Sequence, residues 1–278
     1  MELTLDQLKT GNKRPASWAE MPTPSPIICL LKWRPAFHLI EPAAVPHDSV
    51  VIEPAATLVL LQDSAAGPQV LMQQRSHDAQ FVGGAWVFPG GKLDAHDSDP
   101  HWLHHCDIGA ERANRLLGTD SGALAYWVAA LRESVEEAGL LLARQQGEPV
   151  NLTLAATAQH FLHQQRDGFL DFCREHNLTL CAGELRYLSR WVTPPGLPRR
   201  YDARFFLAAT PAGQQPQQDD HEAINTCWVT PEQALERYRR KEWMLVLPTL
   251  VTLRQLSGYE SVAAILSQLG NHIDAKTG

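Results

Sequence analysis

Glu133, Glu136 and Glu137 stand close together behind Arg132 in the segment Ala123-Leu-Ala-Tyr-Trp-Val-Ala-Ala-Leu-Arg-Glu-Ser-Val-Glu-Glu-Ala-Gly139. A helix turns about 100° per residue, so with Leu124 at zero, Val128, Leu131, Val135 and Ala138 fall within about 40° of one line. That stripe is the expected core face. On the same scale the three glutamates fall at about 180°, 120° and 220°, opposite the stripe. Three carboxylates on one face repel one another unless a cation sits among them, and hard divalent cations such as Mg²⁺ favour oxygen ligands. The plainer alternative is a solvated acidic face. Arg132 lies four residues before Glu136 and can pair with it, and Gly139 suits the left-handed turn that ends a helix.

This helix needs a frame to position it. Upstream, Trp86-Val-Phe88 runs into Pro89-Gly90-Gly91, where two glycines let the backbone approach a ligand closely. Ala55–Leu61 is an apolar run of strand length, Gln62–Pro68 supplies turn residues, and Val70–Arg75 reads as the partner strand. Residues 92–122 are polar and histidine-rich, and read as an inserted segment with one helix near Ile108–Leu117. His96, His101, His104 and His105 crowd it, and a solvated flap over the substrate is the expectation. A second long helix is expected over Leu154–His176. Strands are expected near Leu185–Val192, Tyr201–Ala208 and Asn225–Trp228, and helices over Pro231–Lys241, Leu247–Leu256 and Ser261–Leu269. The first 50 residues, rich in proline, read as an irregular arm with one short strand near Ile27–Leu31. Residues 51–260 then form the main domain and 261–278 a terminal helix and tail.

Gly90-Gly91 followed by Arg132-Glu133-x-x-Glu136-Glu137-x-Gly139-Leu140 resembles the Nudix box, G-x5-E-x7-R-E-U-x-E-E-x-G-U, of the Nudix hydrolase superfamily. Arg132 lies 41 positions after Gly91 where the pattern expects 14, so the box carries an insertion of 27 residues. The mid-box acid is left open, with Asp94 and Asp97 nearest, and Ser134 stands where the pattern has a bulky apolar residue. A box with such an insertion is similar to the branch that contains the coenzyme A diphosphatases of animal peroxisomes. The stretch Leu71–Gly91 is similar to the coenzyme A motif L-L-T-x2-S-x3-R-x3-G-x3-F-P-G-G. Leu71, Ser76, Gly84 and Phe88-Pro-Gly-Gly91 fit it, while Met72, Gln73 and Gln80 depart.

The resemblance implies an α/β/α sandwich of the mixed α/β (α+β) class, with a mixed sheet, an N-terminal arm and extra C-terminal helices. It implies Mg²⁺ or Mn²⁺ held by Glu133, Glu136, Glu137 and the Gly90 carbonyl, with Glu222 as a further acid and Asp220 in reserve. Glu133 would act as general base and Arg132 would orient the carboxylates. Arg75 could stand in for the cation missing at Gln80. Ser76 and Phe88 fall at motif positions, and Arg200 and Arg204 are candidate phosphate clamps, because guanidinium forks match phosphate oxygens. Alternation along a strand puts Arg200 and Arg204 on one face. The implied reaction is hydrolysis of the diphosphate of coenzyme A or an acyl derivative to 4′-phosphopantetheine and adenosine 3′,5′-bisphosphate. Gln80 keeps ADP-ribose or a dinucleotide such as NADH as an alternative. A catalytically silent nucleotide-binding module is the reading from another class, although such modules usually lose box glutamates and all three are present here.

Composition narrows the classes further. Of 278 residues, 44% are hydrophobic, enough for a sizeable core. Lys and Arg number 24 against 31 Asp and Glu, a net charge of −7 that argues against a nucleic-acid partner. The five cysteines form no C-x-x-C pair, so a disulfide framework or structural zinc is not expected. No apolar run reaches the ~20 residues of a membrane helix. The expected partner is a small-molecule nucleotide, with no membrane, a homodimer as the expected form of any assembly, and a cytoplasmic location.

Overall fold

Leu58, Val59, Leu60 and Leu61 are all fully buried, which means that the first strand is covered on both faces rather than alternating in and out. The computed structural model describes residues 50–77, 82–217 and 223–269. Every described residue belongs to one compact unit, which lies within Val45–Gly278. The arm, and the strand expected at Ile27–Leu31, lie outside the described residues.

In chain order, the first half contributes β1 (Ile52–Ser64), β2 (Gly67–Arg75), β3 (Ala85–Val87), β4 (Gly90–Lys92), α1 (Ala110–Leu117) and α2 (Leu124–Ala138). Next come β5 (Ala143–Gln145), β6 (Glu148–Pro149), α3 (Leu152–Gln164), α4 (Phe169–Glu175), β7 (Leu178–Leu180), β8 (Arg186–Val192) and β9 (Arg200–Ala209). The last elements are β10 (Ala223–Val229), α5 (Pro231–Arg239), β11 (Met244–Leu245), α6 (Leu247–Leu256) and α7 (Val262–Leu269). Among the described residues, eight strands form a mixed sheet along the path β11-β3-β2-β1-β9-β8, with β10 on β2 and β4 on β1. β1 runs parallel to β9 and antiparallel to β2 and β4. β5, β6 and β7 make a small separate sheet that the sequence reading did not anticipate.

Helices cover both faces of the main sheet. One core gathers Leu58, Leu60, Leu71 and Phe206 against α1, α2, α3 and α4. The other gathers Val59, Leu61, Val70 and Leu207 against α5, α6 and α7. This is the α/β/α sandwich expected.

Two expectations are corrected. The helix expected over Leu154–His176 is two helices, α3 and α4, separated by a 3-10 turn, Arg166–Gly168. Gln165 leaves helical geometry at φ −141°, and a Cβ on Gly168 would lie 2.6 Å from Phe161 Cε1, so the chain folds back on itself there. The insertion is not a solvated flap. Trp102, Ile108, Ala113 and Leu117 are buried in the α2-side core, and Trp102 packs on Phe169 with ring centroids 5.4 Å apart. Its four histidines do not converge: His96 lies 3.5 Å from Asp167, His101 pairs with Asp99, and His105 bonds the Leu178 carbonyl.

Candidate active site

The acidic face of α2 is not solvated. Glu133 and Glu137 are each 8% exposed and Glu136 is partly buried. The projection places these residues opposite the apolar stripe, and the structure covers that side too, with β4 and the 3-10 turn Ala95–Ser98. β4 lies beside β1, with Gly90 opposite Thr57 and Gly91 opposite Ala56. A Cβ at Gly90 would stand 2.7 Å from Thr57 Cα, and one at Gly91 would stand 2.6 Å from Glu133 Cδ. Only glycine at both positions lets backbone and carboxylate meet. The Gly90 N–H donates to Glu137 at 2.8 Å.

Arg132 organises the other carboxylates. Its Nη1 donates to Glu133 at 2.9 Å and to Glu136 at 3.2 Å, and its Nη2 donates to the Lys92 carbonyl at 3.0 Å. Nε and Nη2 grip Asp97 in a two-point pair at 3.0 Å each. Asp97 is 3% exposed and stands six positions after Gly91, the spacing of the mid-box acid in the pattern. The whole 27-residue insertion therefore falls between Asp97 and Arg132. That spacing was the available signal; the sequence reading left the choice between Asp94 and Asp97 open. Asp94 stands further off, 3.6 Å from Arg132.

Burial shifts two carboxyls of this cluster. It pushes the Asp97 carboxyl above its ordinary range, and Arg132 pulls it only partly back. It does the same to Glu136, again against Arg132. Burial disfavours charge on Arg132 as well, but Glu133, Asp97 and Glu136 overcome that and hold its proton more tightly than usual. Glu136 Oε1 is buried and has no hydrogen-bond partner among the described residues. An orphaned carboxylate oxygen among further carboxylates is a donor set that suits a hard divalent cation. Among the described residues no three acids, histidines or cysteines already converge as a cage.

The helix end is firmly built. Gly139 is left-handed at φ +64°; its N–H and that of Leu140 bond the Val135 and Ser134 carbonyls. Ser134 Oγ lies 2.7 Å from the Leu140 carbonyl and 2.9 Å from that of Leu131, so the departure from the box pattern serves the turn that ends the helix.

The other expected residues separate. Arg75 ends β2, half-buried, and alternation puts it on the same face as Gln73, which bonds the Glu137 carbonyl. Ser76 follows it, also half-buried. Phe88 is 3% exposed and packs edge-on against Phe205 in the core of the opposite face. Arg200 and Arg204 do share a face of β9. Arg200 donates to the Thr193 carbonyl at 3.1 Å. Arg204 is 6% exposed, lies over the Tyr126 ring, bonds Tyr187 Oη at 3.2 Å and stands 3.6 Å from Asp202. It shares a row of the sheet with Ala56 and Gly91, about 10 Å from the latter at ordinary strand spacing. Glu222, Asp220 and Gln80 lie outside the described residues. Burial pushes the Cys106 thiol up to about 12, which leaves it protonated and without nucleophilic character.

A glycine pair on a strand beside β1, facing a helix that bears Arg-Glu-x-x-Glu-Glu and closes on a left-handed glycine, defines a Nudix domain. Residues 118–256 match the family model for the NUDT19 Nudix domain, half of the chain, and the protein belongs to that family. The match begins after the Gly90-Gly91 turn, within the insertion. An acyl-coenzyme A diphosphatase NUDT19 from Gallus gallus is 30% identical over 243 residues, covering 72% of this chain and 64% of the relative. The corresponding Homo sapiens protein is 28% identical over 269 residues, covering 84% and 70%. This chain thus spans about two thirds of the length of these relatives. Among solved structures, a Nudix hydrolase from Alicyclobacillus acidocaldarius superposes with a TM-score of 0.70 at 29% identity, covering 80% of this chain and 98% of that one. No helix among the described residues is long and apolar enough to cross a membrane.

Proposed function

We propose that the chain is a divalent-metal-dependent diphosphatase that hydrolyses coenzyme A or its acyl derivatives to 4′-phosphopantetheine and adenosine 3′,5′-bisphosphate. The observation that carries this reading is the buried cluster of Glu133, Glu136 and Glu137 against Gly90-Gly91, with one Glu136 oxygen unpartnered. The names of the relatives support the substrate class, and Leu71, Ser76, Gly84 and Phe88-Pro-Gly-Gly91 fit the coenzyme A motif.

Glu136, Glu137, Glu133 and the Gly90 carbonyl are the groups that would hold Mg²⁺ or Mn²⁺, with Glu222 as a further acid. Bound there, the cation supplies Lewis-acid polarisation of a phosphoryl oxygen and lowers the pKa of the attacking water. Glu133 accepts the proton of that water as its oxygen attacks one phosphorus and the bond to the bridging oxygen breaks. Arg132, held in place by Asp97 and the Lys92 carbonyl, keeps Glu133 and Glu136 in register and does not touch substrate. Arg75 and Ser76, at the end of β2, receive the substrate's other phosphates. Arg200 and Arg204 are the further cations on the α2 side of the sheet, although Arg204 must trade Asp202 for a phosphate oxygen to act as a clamp.

A substrate panel with Mg²⁺ and with Mn²⁺ tests the reading, with products separated by chromatography. Release of 4′-phosphopantetheine from coenzyme A or acetyl-coenzyme A ahead of any cleavage of ADP-ribose, NADH or a diadenosine polyphosphate is expected. Preferred cleavage of ADP-ribose or NADH would overturn the substrate and keep the chemistry. No turnover of any would favour the silent module.

A further inference from the structure

The last four carbonyls of a helix have no partner within it, so each must find a donor elsewhere. At the end of α2 those donors can be traced one by one. The Gly139 N–H serves Val135, and the Gln217 N–H serves Ala138 at 2.8 Å. The two remaining carbonyls belong to the acid pair itself, and side chains serve them. Gln73 Nε2, from β2, donates to the Glu137 carbonyl at 2.8 Å. Gln159 Nε2, from α3, donates to the Glu136 carbonyl at 3.1 Å and to that of Gln217 at 3.3 Å. His163 Nε2 adds a second donor to Glu136 at 3.0 Å.

Both glutamines are buried, Gln73 at 3% and Gln159 at 6% exposure. Hydrogen bonds in such surroundings are stiff, and a buried amide without its partner is costly. Gln73 is also one of the positions at which the chain departs from the coenzyme A motif. Gln159 packs against the helix-ending glycine, 2.8 Å from where a Cβ on Gly139 would sit. Through Gln217 it ties the helix end to the segment that leads on to Glu222.

We propose that Gln73 and Gln159 are positioning residues of the metal-binding turn: their buried amides fix the carbonyls of Glu136 and Glu137, and thereby the aim of those carboxylates. This rests on the metal-dependent reading above. Partners one step removed from metal ligands typically change affinity or activity by roughly 10–100-fold when lost.

The test replaces each glutamine by methionine, which keeps the length and removes the donor. Gln214→Met is the matched control: Gln214 is equally buried and bonds the Leu141 and Val150 carbonyls, beyond the acid pair. Three quantities are read: the dissociation constant for Mn²⁺ alone, from the paramagnetic resonance of free Mn²⁺; the melting temperature of the metal-free protein; and kcat and KM with coenzyme A. Gln73→Met and Gln159→Met are expected to weaken Mn²⁺ binding about tenfold and lower kcat about 10–100-fold, with KM within about twofold. Gln214→Met is expected to lower the melting temperature at least as much and leave Mn²⁺ binding unchanged. Unchanged Mn²⁺ affinity in both folded variants overturns the proposal, as does equal weakening in Gln214→Met. Should one variant fail to fold, the other carries the test through its own carbonyl. Failure of both to fold makes the amides general supports and also overturns it. A wild-type protein that binds no Mn²⁺ and turns over no substrate overturns the functional reading instead, and the two failures are thereby distinct.

Discussion

Asp97 shows how a residue can be visible in the sequence and still unassigned. Its spacing from Gly91 matches the mid-box acid, but the choice over Asp94 depends on burial and on a guanidinium that arrives 35 residues later. Asp97→Asn breaks the two-point pair and leaves the buried Arg132 with Glu133, Glu136, the Lys92 carbonyl and the more distant Asp94. Loss of about 3 kcal/mol is expected from denaturant unfolding, the lower end of the range for a broken buried pair; a loss below about 1 kcal/mol would contradict the role. Glu136 gives a pH prediction. Burial raises its folded pKa above the ordinary value despite Arg132. The stability linked to its proton is therefore complete below the unfolded pKa and is lost as pH rises through the raised folded one. Glu136→Gln cannot ionise, so in metal-free protein its melting temperature should gain on that of wild type as pH rises from about 4 to 7. A constant difference across that window would contradict it. Gln73 and Gln159 carried no such signal, since their partners lie 64 and 23 residues away and only the fold brings them together.

α2 was legible because its apolar residues keep helical spacing and its end is a glycine. The reading missed that the helix is buried nearly all round. A stripe marks the face that meets the first layer, but β4 and the turn after it cover the polar side with glycines, a carbonyl and Asp97, none of which a hydrophobic pattern registers. The α3–α4 break was missed because Leu162 and Phe169, seven positions apart, keep one helical face across the polar run 163–168. The contact between β4 and α2 yields a sharp test. Gly91→Ala drives a methyl into the Glu133 carboxylate. A fall in kcat of about a hundredfold is expected, as for a displacement of about 1 Å at a reacting group, with a far smaller effect on melting temperature. Wild-type kcat in this variant would mean that Glu133 is not placed against the turn.

At the scale of the molecule, the sheet sorts two cores, and the box helix sits in the larger. Its strands were mostly legible as apolar runs between turn residues. The small β5-β6-β7 sheet was not, since three strands of two or three residues carry no periodicity. The insertion was misjudged because its polar composition hides four anchors. Trp102 is the largest of these, buried at 1% exposure, with its Nε1 bonded to the His96 carbonyl at 2.9 Å. Trp102→Ala should cost about 3–5 kcal/mol in unfolding free energy, as for other large aromatic truncations in a core. A cost under about 1 kcal/mol would restore the flap reading. The insertion thus supplies core, the acid that braces Arg132 stands just ahead of it, and the box is a tertiary unit rather than a continuous loop and helix.

The most direct test of the central claim compares wild type with Glu136→Gln in hydrolysis of coenzyme A, with Mg²⁺, with Mn²⁺ and after chelation, products resolved by chromatography. The account predicts 4′-phosphopantetheine from wild type only with a divalent cation. It predicts a loss of roughly two to three orders of magnitude in kcat in the variant, the range for removing one preorganised charge at a reacting centre, with the fold retained. Equal turnover by the variant, or undiminished turnover by wild type after chelation, would contradict it.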